Sequence, residues 1–144
     1  MPKPHPDFEG YAVRTTKKTG ICQINATTKT ISNDRFGIEA RSLFNKIKDQ
    51  LSSIYGNGKL SDFHRSGGIW KGSHEWVMSI RQNERVYQQV WDAESNANLK
   101  DNIKEIIMAI NAGSSDASWI SLQYRFGNYD ECEKEMNNQG KGSL

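Results

Sequence analysis

An amphipathic segment between residues 34 and 56 constrains the fold of this chain more than any other stretch. Its apolar side chains recur at steps of three and four residues, which places them on one face of an α-helix. Asn33 or Asp34 is suited to cap the first turn, because either side-chain oxygen can accept a backbone N–H there. Gly56 follows the last turn and is suited to close the helix. The stripe consists of Phe36, Ala40, Leu43, Phe44, Ile47, Leu51 and Ile54.

A helix with one apolar stripe needs a partner surface, and the flanking segments predict strands. Residues 8–14 and 21–26 are expected to form a hairpin, and the second segment alternates with Cys22, Ile24 and Ala26 on one face. After the helix, residues 86–93 predict another strand. Residues 119–126 carry the clearest alternation of the chain and predict the last strand.

Residues 104–111 fit a helical spacing as well as a strand. A hairpin partner for the last strand is needed, so we predict a strand there, preceded by one turn of helix. Ser73 is expected to cap a short helix that runs to about Asn83, and a short helical turn is expected around Cys132. The middle, residues 60–72, is predicted to be irregular.

These elements predict an α+β fold with an antiparallel sheet of about five strands, one long helix on a face and a short second helix. In the order of its elements alone, this arrangement resembles small bacterial modules in which helices pack on one antiparallel sheet. Unrelated functions share that topology, so the resemblance implies no activity.

A chain of 144 residues fits one domain that is long enough to bury a core. Three prolines within the first six residues predict a flexible lead-in at 1–7. The α+β domain is expected to span residues 8–136, and the glycine-rich residues 137–144 predict a flexible tail.

The charge balance points to no particular polyanion or membrane. The chain has 19 basic and 17 acidic residues, a net charge of +2, which makes a nucleic-acid partner unlikely on charge alone. No apolar run reaches the length of about 18 residues that a membrane span needs, so no membrane insertion is expected. Without an apolar leader, a cytoplasmic location is expected for the chain as it stands.

The two cysteines leave two interpretations open. Cys22 and Cys132 could form a disulfide that closes a loop of roughly a hundred residues, worth on the order of 4 kcal/mol. That bond, together with removal of a leader, would place the protein in the periplasm or outside the cell. Unpaired, Cys22 would be a small buried apolar residue.

Histidines near the middle loop suggest a metal-dependent hydrolase as one alternative function. His64 and His74, with Asp62 or Glu75, could hold zinc. The segment that begins at His74 starts like a zinc-protease helix, but Met78 stands where the second histidine would be needed. Two surface histidines are the simpler interpretation, so no metal and no cofactor are expected.

Other catalytic patterns are missing from the sequence. Ser66, Ser73 and Ser79 lie close to the histidines, but no nucleophile elbow is present. The glycine pairs of the middle loop lack the spacing of a phosphate-binding loop. No catalytic residue is therefore assigned, and we favour a non-enzymatic role.

A single-stranded nucleic-acid binder is the second alternative. Cations and aromatic residues are interleaved in the middle of the chain, a combination that contacts phosphates and stacks on bases. Asp62, Glu75 and Glu84 dilute this charge. The residues are His64, Arg65, Trp70, Lys71, His74, Trp76, Arg81 and Arg85.

Trp119 alternates out of phase with the apolar residues of its strand and is expected on the face opposite the helix. There it would lie beside Trp91 or Tyr87, either as an exposed aromatic patch that marks a ligand surface or covered by the middle loop and short helix.

We therefore predict a non-catalytic module that binds another protein or a small ligand, acting through the residues 60–76 and the aromatic sheet face. An inhibitory or accessory role is compatible with this, and the oligomeric state is left open. The predicted surface residues are His64, Arg65, Trp70, His74, Trp91 and Trp119.

Overall fold

The computed structural model describes residues 6–95 and 97–142, with side chains up to residue 138. Most of the predicted lead-in, and residues 143–144 of the predicted tail, lie outside these ranges. The elements are β1 (Phe8–Thr16), β2 (Gly20–Thr28), α1 (Ile38–Tyr55), β3 (Lys59–His64), α2 (Trp76–Arg81), β4 (Arg85–Trp91), β5 (Ile103–Ala112), β6 (Ser118–Phe126) and α3 (Tyr129–Gly142). A 3₁₀ turn, Ser73–Glu75, leads into α2.

All described strands form one antiparallel sheet in the order β1-β2-β6-β5-β4-β3. The predicted α+β class is confirmed, with six strands where about five were expected and three α-helices where two were expected. The segment 104–111 lies within β5, so its prediction as a strand is confirmed. Pairing with β6 over most of its length explains why the β-branched residues prevail over the helical spacing.

Helices α1 and α2 cover one face of the sheet, which we call the covered face. Cross-strand rows of buried side chains form this face; one row joins Trp91, Ile106, Tyr124 and Ile24. The predicted inward alternation of β2 is confirmed, since Cys22, Ile24 and Ala26 are all buried. The helical side of the core is built from Ala40, Phe44, Ile47, Leu51 and Tyr55 of α1 and from Trp76, Val77 and Ile80 of α2.

Both ends of α1 differ from the predicted apolar stripe. Phe36 precedes the helix and is 44% exposed, and Ile54 is 51% exposed, because Tyr55 takes the inward position in the last turn. The buried carboxylate of Asp34 accepts the backbone N–H groups of Glu39 (3.1 Å) and Ala40 (2.9 Å), so its predicted capping role is confirmed. Gly37, with φ of 70°, makes the turn between this carboxylate and the helix.

Strand β3 was not predicted. Its two large apolar residues, Leu60 and Phe63, point to opposite faces of an edge strand, and both remain about half exposed. The strand therefore lacks the alternating pattern on which a sequence-based assignment depends. What holds it is backbone pairing with β4 from Lys59 to His64.

Helix α3 is longer than the predicted helical turn and contacts mainly β1 and β2. Cys132 of α3 and Cys22 of β2 form a disulfide, with Cα atoms 6.3 Å apart and both residues fully buried. Asn128 lies just before the helix, and its side-chain Nδ2 donates to the backbone carbonyl oxygens of Thr19 and Ile21. A covalent bond and polar contacts to the hairpin thus attach α3 to the sheet.

Candidate functional site

The face of the sheet opposite α1 and α2, which we call the open face, carries half-buried side chains. Across the central strands the register aligns Val90 with Ile107 and Gln123 in one row, and Asn111 with Trp119 in another. Because α1 and α2 lie on the covered face and α3 contacts mainly β1 and β2, no described helix packs on this central part. A mixed apolar and carboxamide surface is therefore available to a ligand.

Strands β4 and β5 separate at one end of the sheet. They pair only between Gln88–Ala109 and Trp91–Ile106. Beyond that point residues 85–87 still pair with β3, and residues 110–112 still pair with β6, but the two segments do not pair with each other. The separation leaves a cavity of about 420 Å³, which we call the β4–β5 cleft.

Apolar, cationic and carboxamide groups together line the β4–β5 cleft. Ile80 of α2 and Val86 of β4 contribute apolar surface, and the ring of Trp119 contributes from β6. The carboxamides come from Asn83, Gln88 and Asn111. The volume lies in the range of small-ligand sites. More of the cleft surface is polar than apolar, so hydrogen bonds and charge would contribute more to ligand recognition here than in a mainly apolar pocket.

Two arginines line the cleft and differ in their contacts. Arg85 donates from Nε to Ser79 Oγ and from Nη1 to Asp62 Oδ1, both over 3.3 Å, and its guanidinium lies 5.7 Å from the Trp76 ring. Arg81 is exposed and has no ion-pair partner among the described residues. Arg85 is thus held by the protein itself, while the charge of Arg81 is available to an anion.

The carboxamide groups of the cleft have hydrogen-bond donors and acceptors that the described structure does not use. Asn111 Nδ2 donates to Ser121 Oγ over 2.8 Å, which leaves its oxygen available. The side chains of Gln88 and Asn83 make no hydrogen bond within the described structure. Asn83 takes a φ of 60° in the turn between α2 and β4, a conformation that asparagine adopts more readily than most residues. This turn brings Arg81 and β4 together at the cleft.

Three predicted surface residues of the middle loop, His64, Arg65 and Trp70, are attached to Asn83 and Glu84. Glu84 Oε1 accepts the backbone N–H of Trp70 over 3.0 Å and lies 3.3 Å from His64 Nε2. Arg65 donates from Nε to the carbonyl oxygen of Asn83 over 2.8 Å, and its backbone N–H donates to the backbone carbonyl oxygen of Glu84 over 2.6 Å. Residues 64–70 are therefore fastened to the turn that precedes β4, next to the cleft.

The two histidines are not brought into one site. His64 is half-buried beside Glu84, whereas His74 is exposed in the 3₁₀ turn. In the part of the chain that the structure describes, no three His, Cys, Asp or Glu side chains are grouped so that they could hold a metal ion. The hydrolase alternative has no donor set in that part.

Trp91 does not belong to the predicted surface. Its side chain is fully buried on the covered face, and its indole N–H donates to the carbonyl oxygen of Gly56 over 2.7 Å. Tyr87 lies on the same face, where its ring meets those of Phe44 and Trp76 edge to face. The expectation that Trp119 lies beside one of them on the open face is wrong, because β4 turns both residues toward α1 and α2.

The expectation that the short helix covers Trp119 is also wrong, because α2 packs on the other side of the sheet. Trp119 is half-buried at the cleft wall. The cation and aromatic pattern of the middle segment is partly used internally: Trp76 is buried, with the Arg41 guanidinium 4.6 Å from its ring centre. The nucleic-acid alternative therefore loses several of its predicted contacts.

Comparison with family models, with curated proteins and with solved structures gives no match for this chain. Among the described residues, no helix combines the length and the apolar character needed to cross a membrane.

Proposed function

We propose that this chain is a non-catalytic binding module whose ligand lies on the open face and enters the β4–β5 cleft. The observation that carries the proposal is the separation of β4 and β5 above Ile80, beside the half-buried Trp119. It combines a concave volume, many hydrogen-bonding groups and a smaller apolar surface at one place.

The surrounding structure supports this role. The ligand-facing strands belong to the centre of a six-stranded sheet, and a buried core supports them from the covered face. The loop that ends at Trp70 is fixed to Glu84 rather than left unattached. Rigid support of this kind lowers the entropy cost of binding.

A matched pair of isoleucine substitutions tests the proposal. Ile107→Lys places a charge in the middle of the open face, and Ile54→Lys places the same charge on the solvent side of α1. Wild-type and variant proteins, each first shown to be folded by circular dichroism, are immobilised and exposed to cell extract, and any recovered partner or ligand is then titrated with each purified protein.

We expect Ile107→Lys to weaken binding at least tenfold and Ile54→Lys to leave it unchanged, because only the first disturbs the ligand face. Binding that survives Ile107→Lys, or that both variants reduce equally, would place the binding site elsewhere and refute the proposal. Chemical conversion of the recovered ligand by the purified protein would also refute the proposal, because a non-catalytic module leaves its ligand unchanged.

A further inference from the structure

Resting on the proposed function, we propose that the β4–β5 cleft takes an extended acidic segment of a partner polypeptide, which adds as a strand to the unpaired backbone there. A carboxylate side chain of that segment pairs with Arg81. The proposed occupant is thus an extended peptide with negatively charged side chains.

The backbone argument comes from the register. Within a strand, alternate residues direct their N–H and C=O groups toward one neighbouring strand and then the other. In residues 85–87 and 110–112 one of these two sides is occupied, by β3 and by β6 respectively. The other side faces the cleft and has no strand partner in the described part of the chain. Each three-residue segment therefore leaves the N–H and C=O groups of one or two residues for an extended peptide, which binds sheet edges in this manner.

The charge argument comes from the cleft walls. Arg81 is exposed and without an ion-pair partner in the described part of the chain, while Arg85 shares its charge with Asp62. Among the described residues, the cleft lining includes both arginines and no acidic residue. A guanidinium recognises a carboxylate through paired N–H donors, so an acidic peptide is the complementary partner.

The side-chain argument comes from Trp119 and Ile80. Successive side chains of an added strand would point alternately to the two sides of the sheet. On one side they would meet the half-buried ring of Trp119, and on the other they would meet Ile80 of α2. Because Arg81 follows Ile80 on α2, a segment that alternates acidic and apolar residues would place its carboxylates on the α2 side, toward Arg81, and its apolar side chains on the side of Trp119.

The probe is an acetylated and amidated hexapeptide of alternating valine and glutamate, compared with its lysine and glutamine counterparts. Two further versions of the glutamate peptide carry N-methyl groups at alternate residues, one at the odd and one at the even positions. Binding is followed by the backbone amide resonances of residues 85–87 and 110–112 and by the indole resonance of Trp119.

We expect the glutamate peptide to shift those resonances, the glutamine peptide to bind more weakly and the lysine peptide not to bind. At least one N-methylated version is expected to bind more than tenfold more weakly, because it lacks the N–H groups that would pair with the edge. Arg81→Gln is expected to raise Kd for the glutamate peptide about threefold to fivefold. The matched control Lys17→Gln, in the turn between β1 and β2 at the far edge of the sheet, should leave Kd unchanged.

Several outcomes would overturn the inference. Equal affinity of the methylated and unmethylated peptides would exclude strand addition, and equal shifts from sodium acetate would reduce the site to a simple anion site. Concentration-dependent shifts of the same amides without peptide would assign the cleft to a second copy of the chain. Absence of any shift at millimolar glutamate peptide would refute it as well. None of these outcomes bears on the proposed function, which the comparison of Ile107→Lys with Ile54→Lys tests separately.

Discussion

The indole N–H of Trp91 bonds the carbonyl oxygen of Gly56 over 2.7 Å, joining the last residue of β4 to the residue that ends α1. Gly58 passes so close to this ring that an added Cβ would lie 3.0 Å from it and 2.5 Å from the carbonyl oxygen of Val90. Helix, edge strand and sheet therefore meet at one tryptophan.

Trp91→Phe should lower the free energy of unfolding by about 2 to 3 kcal/mol, because the Gly56 carbonyl loses its donor and the smaller ring leaves a void. Urea denaturation followed by circular dichroism measures this change. The control is Trp70→Phe, whose half-buried ring makes no hydrogen bond in the described structure and which should cost less than about 1 kcal/mol. Equal losses in the two variants would contradict the assigned role of Trp91.

Removal of the disulfide by the double substitution Cys22→Ala and Cys132→Ala should lower the free energy of unfolding by about 3 to 5 kcal/mol. The bond closes a sequence separation of 110 residues, so its loss frees many conformations of the unfolded chain. Urea denaturation with and without reductant provides the measurement. Reductant should destabilise the wild type and have no effect on the double variant, and a wild type indifferent to reductant would count against the bond.

Asp34→Ala should cost about 1 to 2 kcal/mol, because two backbone N–H groups at the start of α1 lose their acceptor. The comparison variant is Asp49→Ala, an exposed aspartate in the body of the same helix, which should change stability by less than about 0.5 kcal/mol. Thermal unfolding of both proteins gives the answer. An Asp34 variant as stable as the wild type would show that the cap contributes nothing.

The buried tyrosines predict a loss of stability at alkaline pH. Burial, assisted by Tyr55 and Tyr11, raises the pKa of Tyr124 well above its ordinary value of 10.0. Above pH of about 10 the unfolded chain releases this proton while the folded protein retains it, so the free energy of unfolding falls as pH rises toward the folded-state pKa. Burial raises the pKa of Tyr87 as well, which acts in the same direction.

Urea denaturation at pH values from 8 to 11.5 tests this dependence. Tyr124→Phe should make the decline above pH 10 shallower, because one of the responsible protons is gone. The control Trp70→Phe removes no ionisable group and should leave the slope unchanged. A slope identical in wild type and Tyr124→Phe would disprove the assignment.

Glu84→Ala should loosen the loop beside the cleft, because the N–H of Trp70 loses its acceptor and His64 its charged neighbour. Hydrogen exchange at the Trp70 amide is expected to become at least about tenfold faster. Glu94→Ala, at an exposed site whose side chain makes no hydrogen bond or ion pair in the described structure, serves as the control. Unchanged exchange at Trp70 would mean that other contacts fix the loop.

The elements whose apolar residues repeat with one clear helical or strand period could be predicted from the sequence. The elements that depend on a position at the sheet edge, or on the pairing register between strands, could not. The helix around Phe44 and the strand around Leu122 each place most of their apolar residues on one face, so local pattern and final position agree. Strand β4 has apolar residues on both faces, with Val86 and Val90 on one and Tyr87 and Trp91 on the other. Only pairing with β5 and packing under the helices decide which pair is buried, so the sequence alone does not show that Trp91 lies on the covered face.

The candidate site was predictable only in fragments. The out-of-phase position of Trp119 indicates the face opposite the helix, and the structure places it there. The cleft itself arises because the pairing of β4 with β5 stops at Gln88 and Ala109, a feature of two segments that are distant in sequence. The residue pattern of neither segment predicts where their pairing ends.

The covalent link between β2 and α3 has a further consequence for how the chain can be cut. Because Cys22 and Cys132 enclose nearly all of the sheet and both other helices, a single cleavage of the backbone between them divides the chain without releasing either fragment. A protease that nicks the exposed Arg65–Gly67 stretch would thus leave a two-chain molecule that separates only after reduction and unfolding.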